Sequence, residues 1–136
     1  YDTYANNNSL YNTPPTFVVY MIKLVLEWVK REGGLAVIEE RNQKKAAVIY
    51  EAIDQSGGFY RGHAERESRS LMNITFRLPS EELENAFVAA AARRKLAGLK
   101  GHREVGGIRA SVYNAMPYEG CLALAEFMAD FQKQNG

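Results

Sequence analysis

The spacing of apolar residues along the chain predicts four helices and three strands. Apolar positions three and four apart indicate helices, whereas alternation of apolar and polar positions indicates a strand with one buried face. The helices are expected at residues 16–31, 35–53, 81–96 and 117–134, and the strands at 59–61, 70–78 and 108–113. Residues 1–13 are rich in Asn, Tyr, Ser and Thr without a sustained period, so they are expected to form a looped or extended segment. This order favours an α+β fold, a two-layer sandwich with helices packed on one side of a small, mostly antiparallel sheet.

The first predicted helix is apolar on almost every face. Only Lys23 and Glu27 form a polar strip, at a spacing of four residues. Two prolines precede this helix, and Gly33 with Gly34 is expected to end it. The pattern is typical of a helix buried on most sides. It is too apolar for a small domain that leaves one face in water, so the helix is either central to the fold or packs against something outside the chain.

The other helices have one apolar face each. Ser80 is expected to cap the third helix, because a serine before two glutamates is a common helix start. In the last helix, Cys121 is interpreted as a small buried hydrophobic residue, since no supporting arrangement for a nucleophile is visible. The buried face of the second helix is predicted to contain Leu35, Ile38, Asn42, Ala46, Ile49 and Ile53, with Glu39, Glu40, Arg41, Lys44 and Lys45 mostly outside. The apolar stripe of the last helix is predicted to contain Leu122, Ala125, Phe127, Met128 and Phe131.

Composition indicates one globular domain with a real core. The chain has 136 residues, of which 46% are hydrophobic and 24% charged, which is typical of soluble proteins and argues against disorder. The net charge of +1 is too small for a general binder of polyanions, so neither a nucleic acid nor a membrane is an expected partner. A single cysteine excludes an intrachain disulfide and a cysteine-rich metal site, and no metal is expected. A reducing, cytoplasmic compartment is compatible with this.

Residues 100–117 concentrate cationic donors beside glycines. An arginine offers a planar fork of donors suited to a carboxylate or a phosphate, and a histidine can add a further hydrogen bond. Glycines let the backbone turn tightly or approach a ligand closely. The segment is therefore a candidate anion site, although a solvated turn is the alternative interpretation. Its cations are Lys100, His102, Arg103 and Arg109, and its three glycines are Gly101, Gly106 and Gly107.

Three segments together resemble a known family. They are YNTPPTF at 11–17, RSLMN at 69–73 and GHREVGGIRASVYNAMP at 101–117. In order and spacing they resemble the C-terminal part of the phosphoserine aminotransferases, fold-type I enzymes that use pyridoxal phosphate. The resemblance implies the small domain of that fold. It also implies transfer of an amino group between glutamate and 3-phosphohydroxypyruvate in serine biosynthesis and, in many bacteria, a related step in vitamin B6 synthesis.

The resemblance also implies roles for particular residues. Arg109 matches the arginine that holds the α-carboxylate of the substrate. His102 and Arg103 match residues that bind the phosphate of the substrate. Asn12 and Thr13 match a pair that contacts the cofactor phosphate of the neighbouring subunit in a homodimer.

The covalent chemistry of the family is not expected within this chain. The family's Schiff-base lysine lies upstream, in a large cofactor-binding domain that would precede residue 1. The expected organisation is an N-terminal loop at 1–16, a connecting helix at 17–34 and the C-terminal small domain at 35–136. We therefore expect no catalytic residue here and no activity from the chain alone. None of its lysines is assigned to the cofactor: Lys23, Lys30, Lys44, Lys45, Lys95, Lys100 and Lys133.

Two alternatives remain open from the sequence. The chain could be an independent module that binds anions or nucleic acid, although it lacks the aromatic-rich strand signature of RNA-binding domains. Salt-dependent affinity for an oligonucleotide would favour the hypothesis of a binding module. It could also belong to a different class-V aminotransferase, which competition between phosphoserine and unphosphorylated amino acids would reveal.

Overall fold

Five helices and four strands make up the α+β fold expected from the sequence. A computed structural model describes residues 1–136. The helices are α1 (Asp2–Ala5), α2 (Thr16–Arg31), α3 (Leu35–Asp54), α4 (Glu81–Arg93) and α5 (Tyr118–Asn135). The strands are β1 (Arg61–Gly62), β2 (Asn73–Arg77), β3 (Lys100–His102) and β4 (Gly106–Ser111), with a short 3-10 helix at Arg66–Ser68. The chain divides into two compact units, Tyr1–Ile38 and Glu39–Gly136.

The first unit contains α1 and α2. The α1 turn was not predicted, because its single turn is too short to show a helical period. It is held locally, since the amides of Tyr4 and Ala5 both donate to the carbonyl of Tyr1 at 3.0 Å. The bounds of α2 agree with the sequence prediction. Gly33 and Gly34 end this helix at φ values of 104° and 86°, a region in which a side chain would be strained.

No residue of α2 is buried, although the sequence suggested a helix buried on most sides. Phe17 is 75% exposed and Leu26 is 60% exposed. Within this chain α2 is therefore not core. The expectation that it packs against something outside the chain stays a prediction. No helix of the structure is both long enough and apolar enough to cross a membrane.

The second unit is built on a four-stranded sheet with the order β1-β2-β4-β3, in which every neighbouring pair is antiparallel. On the central strands, buried and less buried residues alternate as predicted. Ile74 and Phe76 of β2 are buried, and they pair with Ala110 and Ile108 of β4, which are buried as well. Thr75 pairs with Arg109 on the opposite face of the sheet.

One face of the sheet is covered by α3, α4 and α5, whose buried residues share a single core with the inward residues of β2 and β4. The hydroxyl of Tyr60 donates to the carbonyl of Met128 at 2.8 Å within that core. Burial raises the pKa of this phenol well above its usual range. Edge-to-face and tilted contacts join six aromatic rings there: Phe59, Tyr60, Phe76, Phe87, Phe127 and Phe131.

Three side chains differ from the sequence prediction. Leu35 is 78% exposed, because it is the first residue of α3. Leu122 is 37% exposed, whereas Leu124 is buried in its place on α5. Lys45 is predicted to lie outside the core, but it is only 2% exposed. Its ammonium donates to backbone carbonyls just after β4. Asn42 is buried as predicted, and its amide donates to the side chain of Asn114 at 2.8 Å.

Candidate anion-binding site

The β3–β4 hairpin carries the cationic segment singled out from the sequence. Its three-residue turn is closed by the amide of Val105, which donates to the carbonyl of His102 at 3.1 Å. Gly106 and Gly107 have φ values of 74° and 73°, so the strand after the turn needs residues without a Cβ. A Cβ on Gly101 would overlap the carbonyl oxygen of Gly106. The glycines thus allow a tight hairpin that holds its cations in place.

His102 and Arg103 lie together at the end of this hairpin. Both line a cavity of about 420 Å³ between the hairpin and α4. The Nδ1 atom of His102 accepts a hydrogen bond from the amide of Glu104 at 3.3 Å, which leaves Nε2 free to donate. The Arg103 side chain is 88% exposed and lies 4.0 Å from the Glu104 carboxylate. Both residues therefore carry donor groups beside one cavity.

Arg109 lies in the middle of β4, on the face of the sheet that the helices leave uncovered. It pairs with Thr75, and its own amide donates to the carbonyl of Leu99 at 2.9 Å. The Nε atom of its guanidinium is buried and has no hydrogen-bond partner. No carboxylate of the chain forms an ion pair with it. A half-buried cation without a partner is costly, so this side chain is suited to an anionic ligand.

The structure brings His102 and Arg103 together, whereas Arg109 does not line their cavity. His102 pairs with Gly106, and Arg109 lies three residues farther along β4. At about 3.4 Å per residue, this offset is roughly 10 Å along the strand. The hairpin therefore carries two separate sets of cationic donors.

Asn12 and Thr13 lie in the first unit, just before the start of α2, and both are exposed. The Asn12 amide donates to the hydroxyl of Tyr4 at 2.7 Å. No side chain caps α2, and the amides of Phe17 and Val18 in its first turn have no acceptor. Free amides and the positive end of a helix dipole favour a phosphate at such a place.

Lys45 and Cys121 are buried residues whose side chains could in principle react. The Lys45 ammonium donates to the carbonyls of Val112 and Tyr113 at 3.2 and 2.7 Å. Burial lowers the pKa of Lys45 and raises that of Cys121. Both side chains are at most 2% exposed, so they support the core rather than face a ligand.

Polar contacts around the hairpin were not found from the sequence. Glu84 of α4 is 5% exposed and accepts a hydrogen bond from Arg77 at 2.6 Å. The burial of Glu84 could have been predicted from its position three residues before Phe87 and seven before Ala91, because residues at this spacing lie on one face of a helix. On the uncovered face, Asn73 accepts a hydrogen bond from Ser111 at 3.0 Å.

Comparison with known proteins identifies relatives of this chain. The sequence profile described as aminotransferase class-V matches residues 1–124. The chain belongs to the class-V aminotransferase family. This confirms at the level of the family the resemblance noted in the sequence, and the matched residues include the hairpin and its cations.

Individual members of the class-V family are closely similar. A phosphoserine aminotransferase of Geobacillus kaustophilus is 63% identical over 98% of this chain and 37% of its own length. One from Niallia circulans is 60% identical over 100% of the chain and 38% of its own length. The solved structure of a phosphoserine aminotransferase from Bacillus circulans subsp. alkalophilus superposes with a TM-score of 0.90 at 60% identity, covering the whole chain and 38% of that protein. The chain thus spans well under half the length of the relatives it matches.

A more distant relative keeps the same fold. The crystal structure of a phosphoserine aminotransferase from Trichomonas vaginalis, described as bound to pyridoxal phosphate, has a TM-score of 0.83 at 41% identity. It covers 95% of this chain and 37% of that protein.

Proposed function

We propose that the chain forms the C-terminal part of a pyridoxal-phosphate-dependent phosphoserine aminotransferase. The whole enzyme would exchange an amino group between glutamate and 3-phosphohydroxypyruvate, giving O-phosphoserine and 2-oxoglutarate. The partnerless guanidinium of Arg109 on the uncovered sheet face is the observation that carries the proposal. Relatives of that name at 60 to 63% identity support it. In this proposal a large cofactor-binding domain precedes residue 1, and two copies form a homodimer.

In this proposal Arg109 binds the α-carboxylate of the substrate. A guanidinium can donate two parallel hydrogen bonds to a carboxylate, which fixes the orientation of the amino acid as well as its position. The strand holds the backbone of Arg109 on both sides, through Thr75 and Leu99. A rigid strand keeps the side chain in place before the substrate arrives, so less entropy is lost on binding.

His102 and Arg103 bind the phosphate of the substrate. Nε2 of His102 donates one hydrogen bond, and the exposed guanidinium of Arg103 adds charge and further donors. Because an unphosphorylated amino acid would leave these groups unpaired, the pair favours phosphorylated substrates. The separation of the phosphate contact from Arg109 along β4 suits a ligand with an anion at each end.

The residues before α2 are suited to bind the phosphate of the cofactor. The hydroxyl of Thr13, the amide of Asn12 and the free amides at the start of α2 are donors that match a phosphate group. We propose that these donors bind the phosphate of the pyridoxal phosphate that the neighbouring subunit holds. When bound, the cofactor supplies an electron sink for the amino-group transfer. No lysine of this chain is assigned to it, so the chain alone is expected to be inactive.

The exposed apolar side chains of α2 belong to the same proposal. A contiguous apolar surface of this kind normally marks a contact between domains or subunits. We propose that the large domain or the partner subunit covers α2 in the whole enzyme. This would explain a helix whose sequence is that of a buried element while none of its residues is buried here.

Substitution of Arg109 tests the carboxylate contact. In the full-length enzyme, Arg109→Ala should lower kcat/KM for O-phosphoserine roughly 30- to 5,000-fold. This corresponds to a loss of about 2 to 5 kcal/mol of transition-state stabilisation, as for loss of one partner of a buried charge pair. Steady-state kinetics with 2-oxoglutarate as the acceptor measure this. Arg93→Ala is the matched control, because it removes an exposed arginine at the end of α4, outside the hairpin.

The contact is disproved if Arg109→Ala retains the kcat/KM of the wild-type enzyme. A different class-V aminotransferase is the second candidate, and competition between substrates separates it from the first. O-phosphoserine should outcompete serine and alanine strongly in the wild-type enzyme, because His102 and Arg103 have no phosphate to bind in the unphosphorylated compounds.

A further inference from the structure

A buried carboxylate fastens the hairpin to the rest of the domain. Glu84 lies on α4 and its side chain is 7% exposed. One carboxylate oxygen accepts hydrogen bonds from Nε of Arg77 at 2.6 Å and from the amide of Leu78 at 3.3 Å. The other oxygen accepts from the amide of Gly107 at 3.2 Å. A single side chain thus links α4, the end of β2 and the start of β4.

Arg77 extends this link to the turn itself. While its Nε atom donates to Glu84, its Nη1 atom donates to the carbonyl of Val105 at 2.7 Å. Val105 is the last residue of the turn that contains Arg103, and its amide bonds to His102. The Arg77 stem also lies against Gly107, where an added Cβ would be 2.6 Å from Cδ of Arg77. The position of the turn is therefore set by Glu84 and Arg77 together.

The charges of the pair matter for an anion on the hairpin. Glu84, Arg77, His102 and Arg103 line the same cavity. The short bond to Arg77 offsets the charge of Glu84, which would otherwise repel a phosphate. Two further carboxylates, those of Glu81 and Glu104, also line the cavity. A buried carboxylate with three hydrogen bonds also holds a fixed geometry, because moving it would leave a charge without partners.

We propose that Glu84, acting through Arg77 and the amide of Gly107, is a positioning residue that fixes the hairpin for recognition of the substrate phosphate. The inference rests on the proposed function, since it assigns the anion on the hairpin to a phosphorylated amino acid. Glu84 itself does not touch the substrate. Its effect reaches the ligand through the placement of His102 and Arg103.

The test compares two amino donors in the full-length enzyme with its cofactor. Glu84→Gln keeps the shape of the side chain but removes the charge that binds Arg77. For O-phosphoserine, KM should rise about 10- to 100-fold, the effect of a displacement near 1 Å, while kcat changes less than about twofold. For L-serine, which has no phosphate, kcat/KM should stay within about twofold of wild type. Steady-state kinetics with 2-oxoglutarate as the acceptor give KM, kcat and kcat/KM for each donor.

Glu81→Gln is the matched control. Glu81 lines the same cavity on the same helix, but its side chain makes no hydrogen bond to the hairpin. Its loss should not raise KM for O-phosphoserine. An equal rise for Glu81→Gln would show that the rise does not depend on the hydrogen bonds of Glu84 to the hairpin, and it would overturn the positioning role. An equal loss of kcat/KM for O-phosphoserine and L-serine in Glu84→Gln would overturn it too.

Arg77→Lys keeps the proposal testable if Glu84→Gln does not fold. The arginine side chain is 46% exposed, so the change is tolerable, and lysine cannot bond to Glu84 and Val105 with the fixed fork of a guanidinium. A smaller rise in KM, selective for O-phosphoserine, is expected, and unchanged kinetics would contradict the proposal. A wild-type enzyme that does not prefer O-phosphoserine would instead refute the proposed function, whereas an intact preference in both variants would refute only the positioning role.

Discussion

Arg109 and Lys45 show how burial and partners separate a binding residue from a structural one. The Lys45 ammonium is enclosed and satisfied by two carbonyls at the end of β4. The Arg109 guanidinium has a buried Nε atom and no partner within the chain. A cation that the fold has already satisfied has little to gain from a ligand, whereas one left without an acceptor gains a charge-assisted hydrogen bond. Among the residues of this chain, the partnerless guanidinium of Arg109 therefore supports the proposed role in substrate binding.

Gly101 should tolerate no side chain. An added Cβ would overlap backbone atoms of Gly106 and Gly107, which cannot move without breaking the hairpin. Gly101→Ala should therefore lower the free energy of unfolding by about 1 to 3 kcal/mol, the usual cost of overpacking, and weaken O-phosphoserine binding. Urea unfolding measures the first effect. Gly62→Ala is the control, because its Cβ would meet Ile53 at an ordinary 3.8 Å. Equal stability of the two variants would contradict the overlap.

The sequence predicted the cations of the hairpin but not their supports. Arginines and glycines in one short segment are visible because they lie close together in the chain. The hydrogen bonds from the Gly107 amide to Glu84 and from Lys45 to the Tyr113 carbonyl join residues 23 and 68 positions apart. Such pairs are set by how α3 and α4 pack on the sheet, so no local pattern shows them. Lys45 also carries a long apolar stem, which allows it to enter the core although its charge suggests the surface.

At the scale of elements, α3 is tied to the segment that leads into β2. Asp54 at the end of α3 accepts two hydrogen bonds from Arg69, at 2.8 and 2.6 Å. The Arg69 guanidinium also lies 4.5 Å from the ring centre of Tyr50, whose hydroxyl donates to the carbonyl of Ser70. This cluster orders the loop before β2, the strand that pairs with β4 and thereby aligns Arg109.

Stability should depend on pH through Asp54. The hydrogen bonds from Arg69 hold the pKa of this carboxyl below its usual range. A carboxyl with a lowered pKa in the folded state adds stability above its ordinary pKa, about pH 4, and that stability is lost as the pH falls through the lowered value. Asp54→Asn should therefore lower the free energy of unfolding at pH 7 by about 1 kcal/mol and flatten its decline below about pH 4. Urea unfolding between pH 7 and pH 2 measures both.

Asp130→Asn provides the comparison. Its ion pair with Arg94 is on the surface, with both side chains about half exposed at 46 and 51%. Exposed pairs contribute about 0 to 1 kcal/mol, so this variant should change stability less than Asp54→Asn does. A steeper acid decline in Asp54→Asn than in the wild type would contradict the assigned role.

Long periodic elements were predicted well, and short ones were not. The bounds of α2 and the alternation of β2 follow from strong apolar patterns. The single turn of α1 and the strands β1 and β3 are two to four residues long, so they show no period and depend on pairing with distant residues. The apolar pattern of α2 predicted burial, but no residue of α2 is buried within this chain. A local pattern does not tell whether a covering surface belongs to the same chain.

At the scale of the whole molecule, the fold joins two kinds of surface. One face of the sheet is filled by three helices and an aromatic core, which makes the strands rigid. The other face displays Arg109, whose buried Nε atom has no partner, and the hairpin displays the exposed side chain of Arg103. Under the proposed function, this division lets the domain recognise a substrate with two anionic groups while the reactive groups come from elsewhere. In the proposed enzyme, recognition and covalent chemistry thus belong to different parts of one protein.

Turnover of O-phosphoserine with 2-oxoglutarate tests this division most directly. The full-length protein and the 136-residue chain should be assayed side by side at equal concentrations, each with added pyridoxal phosphate. The full-length protein should form glutamate and 3-phosphohydroxypyruvate, and the 136-residue chain should form neither above the rate of the free cofactor. Transamination by the chain alone, or none by the full-length protein, would contradict the proposal that this chain recognises the substrate of a phosphoserine aminotransferase without supplying its chemistry.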